Sequence, residues 1–371
     1  MKRLVLLGGG HAHVQVLAGL GRSPLAGWQV DLVTPQPRLV YSGMLAGWMA
    51  GHYDLAACTL PVGAPAHAAG ATLRLARAIA LDLDRNEVRC DDGGTLGFDL
   101  VSIDTGPEPA IASLPGADEH AVAVRPLEAF VQAWPALLER MQASLRPFDL
   151  VVVGGGAAGV ELAFAMRHKL GSALLDRVRI TVVGDDRLPV PGAPERARHR
   201  LARWLAERRI HFLGGRRATR IRADAVELDD ATSIACDACV LATGAAAPTW
   251  PAAAGLATDR DGYVRVDATL RSVSHPAVFA AGNVAEYHVE RPRSGVYAVR
   301  AGPVLLANLR AAAAGRRLRT WHPQQHALYI LGTGGKHALA WRGRWSIAGR
   351  WVWHWKDRID RRFVNSFSGE S

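Results

Sequence analysis

"LVLLGGGHAHVQVL" (residues 4–17) places an apolar run directly before three glycines and a helix-like pattern. An apolar strand, a glycine turn and a helix form the start of a dinucleotide-binding βαβ unit. Gly8 and Gly10 occupy the first two small positions of G-x-G-x-x-G, but His13 stands where the third glycine belongs. The stretch has a partner in the same chain. A shift of 146 positions brings Leu4 onto Leu150 and Gly8–Gly10 onto Gly154–Gly156, in "LVVVGGGAAGVELA" (150–163). There Gly159 faces His13, so the second copy carries the full fingerprint.

The repeat extends beyond the turns. "WQVDLVTP" (28–35) follows the first and "VRITVVGDD" (178–186) the second, each reading as the next strand. "ATLRLARAIALDLDRNEVRCDDGGTLGFDLVSIDTG" (71–106) reads as short alternating strands closing on Thr105-Gly106. "HFLGGRRATRIRADAVELDDATSIACDACVLATG" (211–244) runs the same course to Thr243-Gly244. A third glycine strand, "AVFAAGNVAEY" (277–287), precedes a helical pattern over 296–315. The predicted fold class is α/β, with two Rossmann-like dinucleotide-binding domains and a small C-terminal region. A chain of 371 residues is long enough for such cores.

Composition narrows the classes. The chain is 49% hydrophobic and 21% charged, as in ordinary globular proteins. Its net charge of +10 carries no block of like charges and no nucleic-acid motif, so nucleic acid is excluded as a partner. Four cysteines without a framework point to a reducing compartment and a cytoplasmic location. The apolar start after Lys2-Arg3 is cut by glycines, against a signal peptide. No apolar run reaches the ~18–20 residues of a membrane-spanning helix.

Several residues invite a chemical reading. Gly8 and Gly10, and Gly154, Gly156 and Gly159, let backbone approach a pyrophosphate, with the helix N-terminus offering N–H groups. An acid after the second strand would hold the adenosine ribose. In the first copy that place falls near Thr34-Pro35 and lacks the acid. In the second, Asp185 and Asp186 follow Gly184, which favours NADH over NADPH. His11 and His13 stand two apart, about 200° around a helix, and so cannot share a metal. His13 is either a polar group beside a pyrophosphate or flavin, or a histidine satisfied by backbone. Glu161, on the first turn of the second helix, is expected either to face the nicotinamide or to complement the helix dipole. Cys236-x-x-Cys239 lies at a strand start, a setting for a core pair and not for a catalytic dithiol. "GRWVWHWKDRIDRRF" (349–363) puts Trp351, Trp355, Ile359 and Phe363 on one helical stripe among arginines. Such a helix docks on its own protein, pairs two subunits into a homodimer, or lies in a membrane interface.

These motifs resemble the pyridine nucleotide-disulfide oxidoreductase superfamily over residues 1–315. The resemblance implies FAD on the first copy and NAD(P)H on the second, with the second domain inserted in the first: 1–115 and 265–320 for FAD, 116–264 for NAD(P)H, and 321–371 as a C-terminal region. It implies FAD contacts at Gly8, Gly10, His11, His13, Thr34, Arg38, Ile79, Thr105, Gly106, Gly282, Asn283 and Val296. Asn283 stands where the family has an acid on the flavin ribityl chain. For NAD(P)H it implies Gly154, Gly156, Gly159, Glu161, Asp185, Thr243 and Gly244. "GGGHAHVQVL", "YSGMLAGWMAGHY" and "GVYAVRAGPVLLANLR" are also similar to a flavoprotein branch found fused ahead of selenide, water dikinase. That branch is in turn similar to type II NADH dehydrogenases. The expected function is hydride transfer from NAD(P)H to FAD and onward to an acceptor, with quinone favoured and no redox disulfide. The alternatives are a soluble selenium, sulfur or protein acceptor, or a slow flavin redox sensor. Localisation is expected to be cytoplasmic, or peripheral on the inner face of the cell membrane.

Overall fold

Two five-stranded parallel sheets carry the molecule, each seeded by one glycine turn. The computed structural model describes residues 1–109 and 114–367. In the first half, β1 (Lys2–Leu7) leads through Gly8–Gly10 into α1 (His11–Arg22) and β2 (Trp28–Thr34). Then come α2 (Ser42–Met49), the edge strand β3 (Thr72–Leu75), a three-stranded meander (Ala78–Asp82, Glu87–Cys90, Thr95–Gly97) and β4 (Leu100–Ile103). In the second half, β5 (Ala121–Ala123) and β6 (Phe148–Val153) precede α3 (Ala157–Leu170), β7 (Val178–Gly184) and β8 (Ile210–Gly214). A second meander (Ala218–Ile221, Ala225–Leu228, Ser233–Ala235) leads to β9 (Ala238–Leu241). The first sheet is completed by β10 (Val278–Ala280), in the order β10-β4-β1-β2-β3; the second runs β5-β9-β6-β7-β8.

The registers make the duplication quantitative. Leu7 pairs with Val33 and Val153 with Val183, each immediately before its turn. Gly8 N–H donates to Val33 O (2.7 Å) and Gly154 N–H to Val183 O (2.9 Å). Leu4–Leu7 are fully buried, as expected of a parallel strand covered on both faces. The long helix α4 (Gly295–Ala313) packs across α1, where Gln15 donates to Val299 O (2.6 Å).

The second domain is inserted through a pair of connecting strands, with Glu108 opposite Ala246 and Pro109 opposite Ala245. The chain leaves this pair of strands at Ala246. Leu256 and Val264 already pack in the first core. The C-terminal region forms an antiparallel sheet of β11 (Tyr329–Thr333), β12 (Gly335–Arg342) and β13 (Trp345–Gly349), with α5 (Arg350–Asn365) against it. Residues 368–371 of that region lie outside the described residues. Trp321 and Val364 join the first core, and Leu331, Leu339 and Trp341 join the second. This region thus clamps both halves. α5 buries Val352, Trp353, Asp360 and Val364. The expected stripe is split: Phe363 packs inward against Tyr41 (ring centroids 5.0 Å apart), while Trp351 and Ile359 are 57% and 41% exposed. Among the described residues no helix is long and apolar enough to cross a membrane.

Gly159 shows why the second turn needs a third glycine. A Cβ there would lie 2.0 Å from Gly154 O. Gly159→Ala is expected to cost roughly 1–3 kcal/mol through overpacking. Thermal denaturation should show a lower Tm, with hydrogen-exchange protection lost around β6 and α3 but retained around β1. An unchanged Tm would show that α3 can shift freely.

Candidate active site

The first turn is built differently from the second, and one side chain accounts for it. Asp104, at the end of β4, accepts hydrogen bonds at Oδ2 from the N–H groups of Ala12 (2.8 Å) and His13 (3.0 Å), and its carbonyl accepts from Gly10 N–H (3.2 Å). It thereby caps the N-terminus of α1, where a carboxylate also complements the helix dipole. In the second copy Ala242 holds this place, its N–H bonded to Val153 O as Asp104 N–H is to Leu7 O, both at 2.8 Å. His13 sits beneath the turn. A carbonyl can only accept, so Nδ1–H donates to Gly8 O (2.6 Å), and Nε2 accepts from Ser102 Oγ (2.8 Å). Burial lowers its pKa to about 4, so the ring is neutral near pH 7. Of the two readings left open for His13, the geometry matches backbone satisfaction: the ring is fully buried and is not in the cavity wall.

Above this turn lies a cavity of about 370 Å³. Gly8, Gly10, His11, Thr34, Thr105, Gly106 and Asn283 line it, as the sequence led us to expect. Besides His13, four expected residues are not among the lining residues: Arg38, Ile79, Val296 and Gly282. Arg38 is exposed outside the wall, and Val296 lies between the lining residues Gly295 and Ala298. Ile79 is the extra residue of a β-bulge between Ala78 and Ala80, which turns its side chain outward to 47% exposure. Arg77 and Ala78 take its place in the wall. Gly282 supports the wall from behind, with φ +74°, at a point where a Cβ would lie 2.3 Å from Asp104 Oδ1. Burial and Arg125 push the His11 imidazole down to about 4, and its Nε2 is buried without a partner. Sequence reasoning missed Asp104 and Arg125. The former was detectable as the odd residue out when "SIDTG" is set beside "VLATG".

A second cavity opens over the other turn. Gly154, Val183, Asp185, Arg217, Thr243, Gly244, Tyr263 and Arg293 line it. Gly156 and Gly159 belong to the turn but not to the wall. Arg125 lines both the first cavity and a small cleft with Ala158, Thr243 and Gly244, so it stands between the two sites.

Glu161 corrects an expectation. It does not line the second cavity; its Oε1 accepts from Gly332 N–H (2.7 Å), on the C-terminal sheet. The reason is the docking of β11 on α3, which covers the helix face expected to meet nicotinamide. Burial pushes its carboxyl above the usual range, opposed by Lys356. Lys356, on α5, bonds Gly43 O and Asp360 Oδ2, and Asp360 in turn accepts from Tyr41 Oη (3.2 Å). Burial alone would lower the Lys356 pKa, but Asp360 and Glu161 together hold it above its usual value. Tyr41 packs against His11 at 5.5 Å between ring centroids, which connects this network to the first cavity.

All four cysteines are reduced and buried. Burial pushes the Cys58 thiol up to about 12. Cys236 and Cys239 lie together in a small core behind the second sheet. No cysteine is among the lining residues of either cavity.

The two walls fit dinucleotides on structural grounds. Each opens over a glycine turn at the C-terminal ends of parallel strands. A Cβ added at Gly106, Gly156, Gly244 or Gly295 would meet nothing within 4 Å, so backbone there is open to a ligand. The partnerless His11 Nε2 and Ser294 Oγ lie in or beside the first wall. A fold and site of this kind define a flavin enzyme oxidising a pyridine nucleotide. Residues 2–302 match the family model for pyridine nucleotide-disulphide oxidoreductases, and the chain belongs to that family. It is an FAD-dependent NAD(P)H oxidoreductase. It is 27% identical over 296 residues to an NADH dehydrogenase-like protein of Mycobacterium tuberculosis, covering 77% of this chain and 73% of that one. It is 26% identical over 294 residues to demethylphylloquinone reductase of Synechocystis sp., covering 76% and 72%. Its fold matches the sulfide:quinone oxidoreductase of Aquifex aeolicus with a TM-score of 0.82 at 16% identity, over 100% of this chain and 93% of the other.

Asp104 gives a pH signature. Burial raises its pKa from 3.8 to about 7, against the two N–H bonds that lower it. The folded state then binds the extra proton between these values. Stability falls as pH rises from about 4 to about 7, and the full cost is felt above. Asp104→Asn keeps an acceptor for Ala12 and His13 and does not titrate. Its Tm relative to wild type should climb between pH 5 and pH 8. An identical offset at both pH values would contradict a buried titrating carboxyl.

Proposed function

We propose that the protein passes electrons from NADH through FAD to a quinone without a cysteine intermediate. The observation that carries this reading is the half-buried cluster of His11, Tyr41, Asp360, Lys356 and Glu161 beside a cavity with no cysteine among its lining residues: Asp360 bonds Tyr41 and Lys356, and Lys356 and Glu161 line one small void. FAD, when bound, supplies hydride acceptance and electron transfer. The chain supplies position and protons. Quinone reduction to quinol takes up two protons, so a lipophilic acceptor needs proton donors inside the protein. Glu161, held above its usual pKa, and protonated Lys356 are such donors. A void of about 20 Å³ lies between them, lined also by Gly43, His52 and Tyr53. Ser42 lines the flavin cavity, and the next carbonyl, Gly43 O, is the one Lys356 holds.

NADH is the preferred donor in this reading. Asp185 lies in the second cavity wall, where a carboxylate pairs with a free 2′-hydroxyl and repels a 2′-phosphate. The exposed Trp345, Trp351 and Ile359, with Arg350, Arg358 and Arg362 nearby on α5, suit peripheral contact with an anionic bilayer. A membrane surface is where a lipophilic quinone resides. The link to flavoproteins fused to selenide, water dikinase rests on sequence resemblance, and it makes selenium or sulfur compounds the competing acceptors.

Glu161→Gln tests the acceptor side, because the amide oxygen can still accept from Gly332 N–H. Anaerobic stopped-flow mixing with NADH should bleach the flavin at the wild-type rate. Reoxidation by a short-chain quinone should slow by about 10²-fold, the lower end expected for a lost general acid. Equal reoxidation rates would remove Glu161 from the proton path. Wild-type protein that reduces selenium or sulfur compounds but no quinone would overturn the acceptor assignment.

A further inference from the structure

The two meanders repeat each other down to single hydrogen bonds. In the first, Arg77 N–H donates to Asp91 Oδ1 (2.8 Å), and Asp91 N–H donates to Arg77 O (2.9 Å). In the second, Arg217 N–H donates to Asp229 Oδ1 (3.2 Å), and Asp229 N–H donates to Arg217 O (2.9 Å). Each arginine stands immediately before a strand whose second residue is displaced by a β-bulge, between Ala78 and Ala80 and between Ala218 and Arg220. The bulge residues, Ile79 and Thr219, follow the same alanine in both copies. Arg77 lines the first cavity and Arg217 the second. Both are exposed, and among the described residues neither guanidinium has a carboxylate within ion-pair distance. Their neighbours differ in this respect: Arg74 pairs with Asp92 and Arg216 with Asp230, each at 2.7 Å.

We propose that Arg77 and Arg217 are a duplicated pair of ADP-binding cations, one in each dinucleotide cavity. The inference rests on the reading of the two cavities as FAD and NAD(P)H sites, and it deepens that reading. FAD and NAD(P)H have only the ADP half in common. A residue kept at one register in both walls therefore answers to that shared half. A guanidinium suits it, because its plane stacks on a purine and its N–H groups reach phosphate oxygens. The consequence concerns specificity. An arginine beside Asp185 in an NAD(P)H site invites a role in binding the 2′-phosphate of NADPH. FAD has no 2′-phosphate, yet its cavity carries the same arginine. Arg217 thus serves NADH and NADPH alike. The copies differ instead at the end of the second strand, where Pro35 stands opposite Asp185 in register. Choice between the two nucleotides falls to Asp185.

The test uses the FAD-loaded protein with its flavin reduced beforehand under anaerobic conditions, so that no hydride is transferred, and calorimetric titration with NADH, NADPH, ADP and 2′,5′-ADP. Arg217→Gln is expected to raise all four dissociation constants by a common factor of about ten, the loss of one charge-assisted contact. FAD content and Tm should not move, since the side chain is exposed. Arg77→Gln should instead raise the FAD dissociation constant by a similar factor, measured by flavin fluorescence on dilution. NADH binding by the reloaded protein should be unaffected. Weakening confined to NADPH and 2′,5′-ADP would overturn the proposal in favour of 2′-phosphate recognition. Unchanged affinities in Arg217→Gln would overturn it outright. A wild-type protein that binds none of the four nucleotides would sink the NAD(P)H-site reading itself, an outcome distinct from tight wild-type binding that the substitution leaves untouched.

Discussion

The bond between the Asp104 carboxylate and the first N–H groups of α1 is the constraint on which the first half of the molecule is arranged. A parallel strand and the helix that follows it must approach closely at a dinucleotide turn. The second copy achieves this by omission: Gly159 has no side chain, and α3 lies against Gly154 O. The first copy achieves it by substitution. His13 fills the gap and bonds Gly8 O and Ser102, while Asp104 fixes the helix end from the neighbouring strand. The floor of the first cavity is therefore a side-chain network with a buried carboxyl, whereas that of the second is bare backbone. Gly282, with φ +74° and a Cβ position 2.3 Å from Asp104 Oδ1, is a consequence of placing a carboxylate there, whereas Gly8 and Gly154 each face the backbone carbonyl of the neighbouring strand end at 2.4 Å, with or without the acid.

The two sheets have the same strand order but complete it from different places. The outer strand beside β4 is β10, which arrives after the whole second domain, while the outer strand beside β9 is β5, which precedes it. The first sheet therefore cannot close until the inserted domain has been threaded out and back through the strands at Glu108 and Ala246. α4 then crosses α1 and locks the result, with Arg310 reaching Gly19 O (2.9 Å).

What was legible in the sequence was whatever the backbone alone dictates. Glycine spacing, apolar runs and the Thr-Gly strand ends located both turns and both sheets, because those features follow from local sterics. Features that depend on what docks later were not legible. Its place on the first turn of a helix left Glu161 either facing the nicotinamide or complementing the helix dipole, and neither reading foresaw the bond from Gly332 of β11. Four-residue spacing picked out Trp351 and Ile359 on α5, whereas the buried face is the one next to it, led by Val352 and Trp353. The resemblance put Ile79 at the cofactor, but a single bulge turns it out and leaves Arg77 in the wall. The resemblance also supplied the order of domains.

The Lys356 cluster exists only where all three parts of the chain meet. Tyr41 and Gly43 come from the first domain, Glu161 from the second, and Lys356 and Asp360 from the C-terminal helix. Each charge there would be costly alone, since an ionised group removed from water needs a partner. One ammonium between two carboxyls leaves the cluster short of positive charge, which favours retaining a proton on one of the acids. That is consistent with the raised pKa of Glu161. Burial is the larger influence on Glu161 and raises its pKa, while Lys356 opposes it, so the docking of the C-terminal region acts on this carboxyl in both directions: it removes water from the group and brings an ammonium towards it.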